Sequence, residues 1–199
     1  MWQRLPRVLS TSQRLSKHKK NNKKGVDKTP FLCYNTYRKR GTNPKRKELI
    51  TMAKNITINF DLDGTLVDLY GVENWLAYLL AEDATPYAVA KPLVRFATLA
   101  RRLNTLQRNG YKIAVITWLS KNGTAEYNEL VTATKLAYLA KHLPSVNWDR
   151  VTVVPYGTPK ENYCETPLDV LFDDEEHNRT NWTGRAYDVK NILEILAEM

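Results

Sequence analysis

Apolar and polar positions alternate along the second half of the chain in a regular order. "NITINF" (55–60), "YKIAVITW" (111–118), "RVTVVPY" (150–156) and "LDVLFDD" (168–174) are short, β-rich, mostly apolar runs, which predict four buried strands. Between them the period changes to that of a helix. "VRFATLARRLNTLQRNG" (94–110) puts Phe96, Leu99, Ala100, Leu103 and Leu106 on one face, with Gly110 as its stop. "TAEYNELVTATKLAYLAKHLP" (124–144) predicts a second helix that buries Leu130, Ala133, Leu136, Ala137 and Ala140. A third follows Asp188 as N-cap and buries Ile192, Leu193, Ile195 and Leu196. Strands alternating with helices define an α/β fold, a Rossmann-like parallel sheet flanked by helices and joined by right-handed crossovers.

Residues 68–93, "DLYGVENWLAYLLAEDATPYAVAKPL", interrupt the alternation between the first strand and its helix. They hold helical apolar matter (Trp75, Leu76, Leu79, Leu80) broken by Pro86 and Pro92. The expectation is a small helical cap over the C-terminal edge of the sheet, where ligands of such sheets bind. A longer crossover pair with no role over the site is the alternative. Trp75, Tyr78 and Tyr87 would form either a base-stacking pocket or the core of that insertion.

Charge divides the chain in two. Residues 1–51 carry 15 Lys and Arg against Asp27 and Glu48, a net of +13, whereas residues 52–199 come to −4 within the total of +9. The first 51 residues lack apolar periodicity and read as a disordered basic extension. Three readings compete: a nucleic-acid arm, a mitochondrial presequence, or sequence upstream of a natural start at Met52. The third is preferred, because Lys47-Glu48 could be encoded as a ribosome-binding AAGGAG just before Met52. Under the first reading nucleic acid would be a partner, only through residues 1–51; in each case 52–199 would be the folded domain. The two cysteines, Cys33 and Cys164, make no disulfide framework and point to a reducing cytoplasm. No apolar run approaches the length of a membrane span.

The chemistry lies at the strand ends. Asp61 and Asp63 follow the first strand, Thr117 ends the second, Lys160 follows the third, and Asp173-Asp174 close the fourth. In a parallel sheet these ends share one rim. Close carboxylates repel unless a cation or a shared proton separates them. Several carboxylates, a hydroxyl and an ammonium together suit Mg²⁺ and a phosphate. Singly, each residue is ordinary: a turn, a strand end, a solvated lysine, a helix start. Lys121 competes with Lys160 for the phosphate.

This order, and above all "INFDLDGTLVDLY" and "FDDEE", resembles the haloacid dehalogenase superfamily of Mg²⁺-dependent phosphohydrolases. It is most similar to its 5′(3′)-deoxyribonucleotidase-like branch and to small phosphatases of phage and bacterial genomes. The resemblance spans residues 55–198 and implies roles. Asp61 would be the nucleophile that forms an aspartyl-phosphate, and Asp63 the general acid and then base. Thr117 and the Trp118 amide would hold phosphate oxygens and Lys160 would balance charge. The metal would be held by Asp61, the backbone carbonyl of Asp63, Asp173 and Asp174. An acid/base at Asp63 favours hydrolysis over the persistent phosphoenzyme of the related ATPases, which carry Thr there. The expected substrate is a small phosphomonoester, with a (deoxy)nucleoside monophosphate as the first choice. The alternatives are a polynucleotide end phosphatase and a nucleic-acid-binding protein that uses the basic arm.

Overall fold

The structure is a computed structural model that describes residues 56–199. The basic extension and the proposed start at Met52 lie outside the described residues. Five parallel strands form the central sheet in the order β5-β4-β1-β6-β7. They are β1 (Thr57–Phe60), β4 (Lys112–Trp118), β5 (Arg150–Val154), β6 (Val170–Phe172) and β7 (Arg185–Tyr187). β1 lies in the middle and is buried throughout, Ile58 and Phe60 in the core and the polar Thr57 and Asn59 enclosed beside them. Its side chains continue into both neighbours in register: Ile58 pairs with Ile113 and Val170, and Phe60 with Val115 and Phe172. Phe60, Phe172 and Tyr187 then stack in a row across three strands, with ring centroids 5.1 and 5.6 Å apart.

Helices α3 (Phe96–Arg108), α4 (Ala125–His142), α5 (Glu176–Asn181) and α6 (Ile192–Glu198) complete the domain. In α3 the expected face is the buried one, through Leu99, Leu103 and Leu106. In α6, Ile192 and Leu196 are fully buried, and Asp188 caps a 3-10 turn (Val189–Asn191) that leads into the helix. α4 corrects the sequence reading. Leu130, Ala133, Leu136, Ala137 and Ala140 face solvent, and the buried face is Tyr127, Val131, Lys135, Tyr138 and Leu139. Both faces are apolar enough to pack, and the buried one carries a lysine because a carboxylate awaits it. The expected strands also shorten. Leu168 lies exposed before β6, and Asp173-Asp174 come after it.

The insertion after β1 stands on a two-stranded antiparallel ribbon, β2 (Val67–Asp68) with β3 (Lys91–Pro92). Between these strands lie two short helices, α1 (Trp75–Leu80) and α2 (Thr85–Val89). Pro86 sits in the first turn of α2 where the sequence suggested a break, since a first-turn proline loses no helical hydrogen bond. Leu69, Ala84 and Tyr87 pack on Tyr127 and Val131 of α4. Glu82 accepts hydrogen bonds from the Thr124 amide at 2.8 Å and its hydroxyl at 2.7 Å, and Tyr138 Oη donates to the Ala90 carbonyl at 2.7 Å. The insertion is thereby tied to α4 at both ends. Among the described residues, no helix is long and apolar enough to cross a membrane.

Candidate active site

Because the strands are parallel, the residues just past β1, β4, β5 and β6 meet on one rim. Immediately after β1 the chain turns tightly, with the amides of Leu66 and Val67 both donating to the Leu62 carbonyl. Gly64 sits in that turn at φ 76°, and a Cβ there would overlap the Asp174 carboxylate. Only glycine satisfies both the dihedral and the space.

Lys160 begins a 3-10 turn (Lys160–Tyr163) after β5 and is 1% exposed. Its Nζ lies 2.8 Å from Asp61 Oδ1 and 2.7 Å from Asp173 Oδ2, and 4.8 Å from the centre of the Trp118 ring. Burial works to lower the lysine's pKa, but the two carboxylates outweigh it and hold the ammonium charged. Lys121, the competitor, is exposed, with its Nζ 5.6 Å from the Tyr156 ring.

The two carboxylates after β6 differ. Asp173 is fully buried, and besides Lys160 it accepts from Asn178 Nδ2 and the Glu175 amide. Asp174 is half-buried and reaches a cavity, with Oδ1 accepting from Thr65 Oγ1 at 3.1 Å. Burial first, and then the charges of Asp61 and Asp173, push the Asp174 carboxyl up to about 7. Oxygens of Asp61, Asp173 and Asp174 all lie within 4.8 Å of one another. Such a set of hard carboxylate donors, three against the single Lys160 ammonium, fits Mg²⁺.

Asp63 stands at the other side of the turn. Its Oδ2 receives Lys135 Nζ at 2.5 Å, while Oδ1 is buried with no hydrogen-bond partner. Burial, and secondarily the charge of Asp61, raise its pKa, against the opposing pull of Lys135. Thr117 is 1% exposed, and its hydroxyl accepts from Lys135 Nζ at 2.9 Å rather than facing the cavity. Trp118 does line the cavity, and its indole Nε1 donates to the Thr158 carbonyl at 2.9 Å.

The cavity measures about 340 Å³ and has Asp61, Asp63, Lys160 and Asp174 at its base. Its upper wall is Tyr70, Trp75, Leu76 and Leu79 from the insertion, facing Trp118 and Tyr156 from the sheet side. Trp75 and Tyr87 therefore border it as one sequence expectation required, but Tyr78 points elsewhere. Tyr70, Tyr156 and Lys135 were missed. Only Lys135 left a trace in sequence, as the sole charge among Tyr127, Val131, Tyr138 and Leu139 at helical spacing.

Fold and site together define an α/β protein with a parallel five-stranded sheet and an acidic, lysine-bearing rim site under a small helical insertion. No protein-family model matches the sequence, and no curated protein matches it. Among solved structures, it is similar to a crystal structure of D,D-heptose 1,7-bisphosphate phosphatase from Burkholderia thailandensis. The two share 10% sequence identity with a TM-score of 0.44, over 72% of this chain and 97% of that one.

Proposed function

We propose that the protein is a Mg²⁺-dependent phosphomonoester hydrolase of the haloacid dehalogenase type, acting through Asp61. The observation that carries this reading is the seat of the Asp61 carboxylate. It lies 5% exposed at the floor of the cavity, with the Lys160 ammonium on Oδ1 and Asp173 and Asp174 close beside it. Few structural roles reward three carboxylates so crowded, whereas a site for a cation and a phosphate needs them.

In this mechanism a carboxylate oxygen of Asp61 attacks phosphorus, and the bond from phosphorus to the leaving oxygen breaks. The proton for that oxygen comes from Asp63, whose side chain lines the base of the cavity. Water then attacks the phosphorus of the aspartyl-phosphate, Asp63 takes its proton, and phosphate leaves with Asp61 restored. Lys160 offsets the charge that develops on Asp61 and the phosphoryl oxygens. Asp61 and Asp174, with the Asp63 backbone carbonyl and Asp173, would hold Mg²⁺, which neutralises phosphate charge. Thr117 enters the reading as a support for the strand end through Lys135.

The aromatic and leucine walls suit a flat, partly apolar leaving group, so a nucleoside monophosphate is the preferred substrate. The test is a phosphatase assay of the full chain over nucleoside monophosphates, sugar phosphates and an aryl phosphate, with Mg²⁺ and with excess chelator. Release of phosphate that needs the divalent ion and disappears in Asp61→Asn is expected. No turnover of any of these compounds, or turnover undiminished in chelator, would overturn the reading.

A further inference from the structure

A second buried lysine, Lys135, takes no part in the proposed reaction. Lys135 lies in the middle of α4, 1% exposed, and all three of its donors are placed. Nζ donates to Asp63 Oδ2 at 2.5 Å, to Thr117 Oγ1 at 2.9 Å and to the Trp118 carbonyl at 2.5 Å. The same ammonium lies 4.8 Å from the centre of the Tyr87 ring, which comes from the insertion. Two of the three acceptors belong to the end of β4, a strand held on both sides by parallel neighbours. A lysine stem normally keeps much rotamer freedom and its head in water. Here the head is fixed to a rigid strand end, and the remaining donor grips one oxygen of Asp63.

From this geometry we infer that Lys135 is a positioning residue: it anchors Asp63 Oδ2 to the end of β4 and so fixes the orientation of the Asp63 carboxyl at the base of the cavity. Two features support the assignment. Oδ1 has no hydrogen-bond partner, so the charge-assisted bond of Oδ2 to Lys135 is the side-chain contact that sets the carboxyl's orientation. Moreover, without the lysine nothing among the described residues holds Oδ2, and the side chain would be free to turn about its χ angles. A general acid must reach the leaving oxygen within hydrogen-bond distance, so lost orientation costs rate even when the group remains.

The inference rests on the hydrolase reading, and the experiment separates the two. Lys135→Met keeps the length of the stem and removes the donors. The readout is kcat/KM on a 4-nitrophenyl phosphate, whose leaving group needs little protonation, against an alkyl phosphate, whose leaving group needs it. Because kcat/KM ends with loss of the leaving group in this mechanism, it isolates the acid role of Asp63. Acid catalysis contributes roughly 10²–10⁴-fold in general. The variant should therefore lose about 10²-fold on the alkyl phosphate and under about tenfold on the aryl one. In an Asp63→Asn background the same substitution should leave the ratio of the two substrates unchanged. Lys135→Gln, which restores one N–H toward Asp63, should recover part of the alkyl activity, and it carries the test if the Met variant does not fold. Equal losses on both substrates, no loss on either, or a changed ratio in the Asp63→Asn background would overturn the role of Lys135. A wild-type chain that hydrolyses neither compound would instead overturn the hydrolase reading.

Discussion

Thr65 and Asp174 bond to each other twice: the Asp174 amide donates to Thr65 Oγ1 at 3.1 Å, and that hydroxyl donates to Asp174 Oδ1, also at 3.1 Å. The pair joins the turn after β1 to the loop after β6 and fixes the carboxylate that reaches the cavity. Thr65 is fully buried, so replacing it by valine leaves an amide and a carboxylate oxygen short of a partner. Thr65→Val should cost about 1–3 kcal/mol in chemical denaturation and weaken Mg²⁺ binding, whereas Thr65→Ser should retain most of both. Equal stability of the Val variant and the wild type would show that the pair is incidental.

Asp61→Asn should separate activity from stability. The charge of Asp61 raises the pKa values of Asp63, Asp173 and Asp174 together, so it is a burden on the metal-free fold. The amide variant should have no turnover, yet in excess chelator near pH 8 it should melt at or above the wild type. A clearly lower melting temperature there would mean that the Lys160 ion pair outweighs the repulsion.

Asp174 sets a pH dependence. Its carboxyl titrates near 7 in the folded chain against an ordinary value of 3.8. A raised folded pKa gives stability that is complete below about pH 4 and is lost as pH rises through about 7, since the unfolded chain ionises more easily. The metal-free protein should thus lose stability from this group across that window. Mg²⁺ needs the ionised form, so the rise in melting temperature on adding Mg²⁺ should be larger at about pH 8 than at about pH 5. A rise independent of pH would detach Asp174 from the metal.

Gly64→Ala meets two obstacles at once. The residue must sit at φ 76°, which costs about 1–2 kcal/mol for a side chain with a Cβ, and that Cβ must displace the Asp174 carboxylate. The variant should be destabilised by at least this amount and should lose Mg²⁺-dependent activity. Wild-type Mg²⁺ affinity in this variant would argue that the turn is not part of the metal site.

The four principal strands, their parallel order and the gathering of Asp61, Asp63, Lys160, Asp173 and Asp174 on one rim were legible in sequence. Apolar runs that end in charge can hardly be arranged otherwise in a sheet wound through helices. β7 was not legible, because Arg-Ala-Tyr is too short and too polar to announce an edge strand. α5 was missed for a related reason: "EHNRTN" has no apolar period, and its buried member, Asn178, faces Asp173 rather than a hydrophobic core. In α4 the pattern was ambiguous, since two faces are apolar and only packing against the insertion and the main core chooses between them. The same choice hid Lys135, which pairing permits in the interior. Thr117 was seen as a site residue, but its link to the cavity through a lysine side chain depends on packing that no spacing encodes.

The order of the strands also sets when the site comes into being. β1, which carries Asp61 and Asp63, forms the middle of the sheet, yet one of its two partners is β6, and the last rim carboxylate is Asp174. A growing chain emerging from the ribosome exposes its crowded aspartates long before the lysines and the second acidic pair exist to receive them. Any fragment that ends before Asp174 lacks part of the rim. The rim is therefore assembled last, from residues more than a hundred positions apart in the chain.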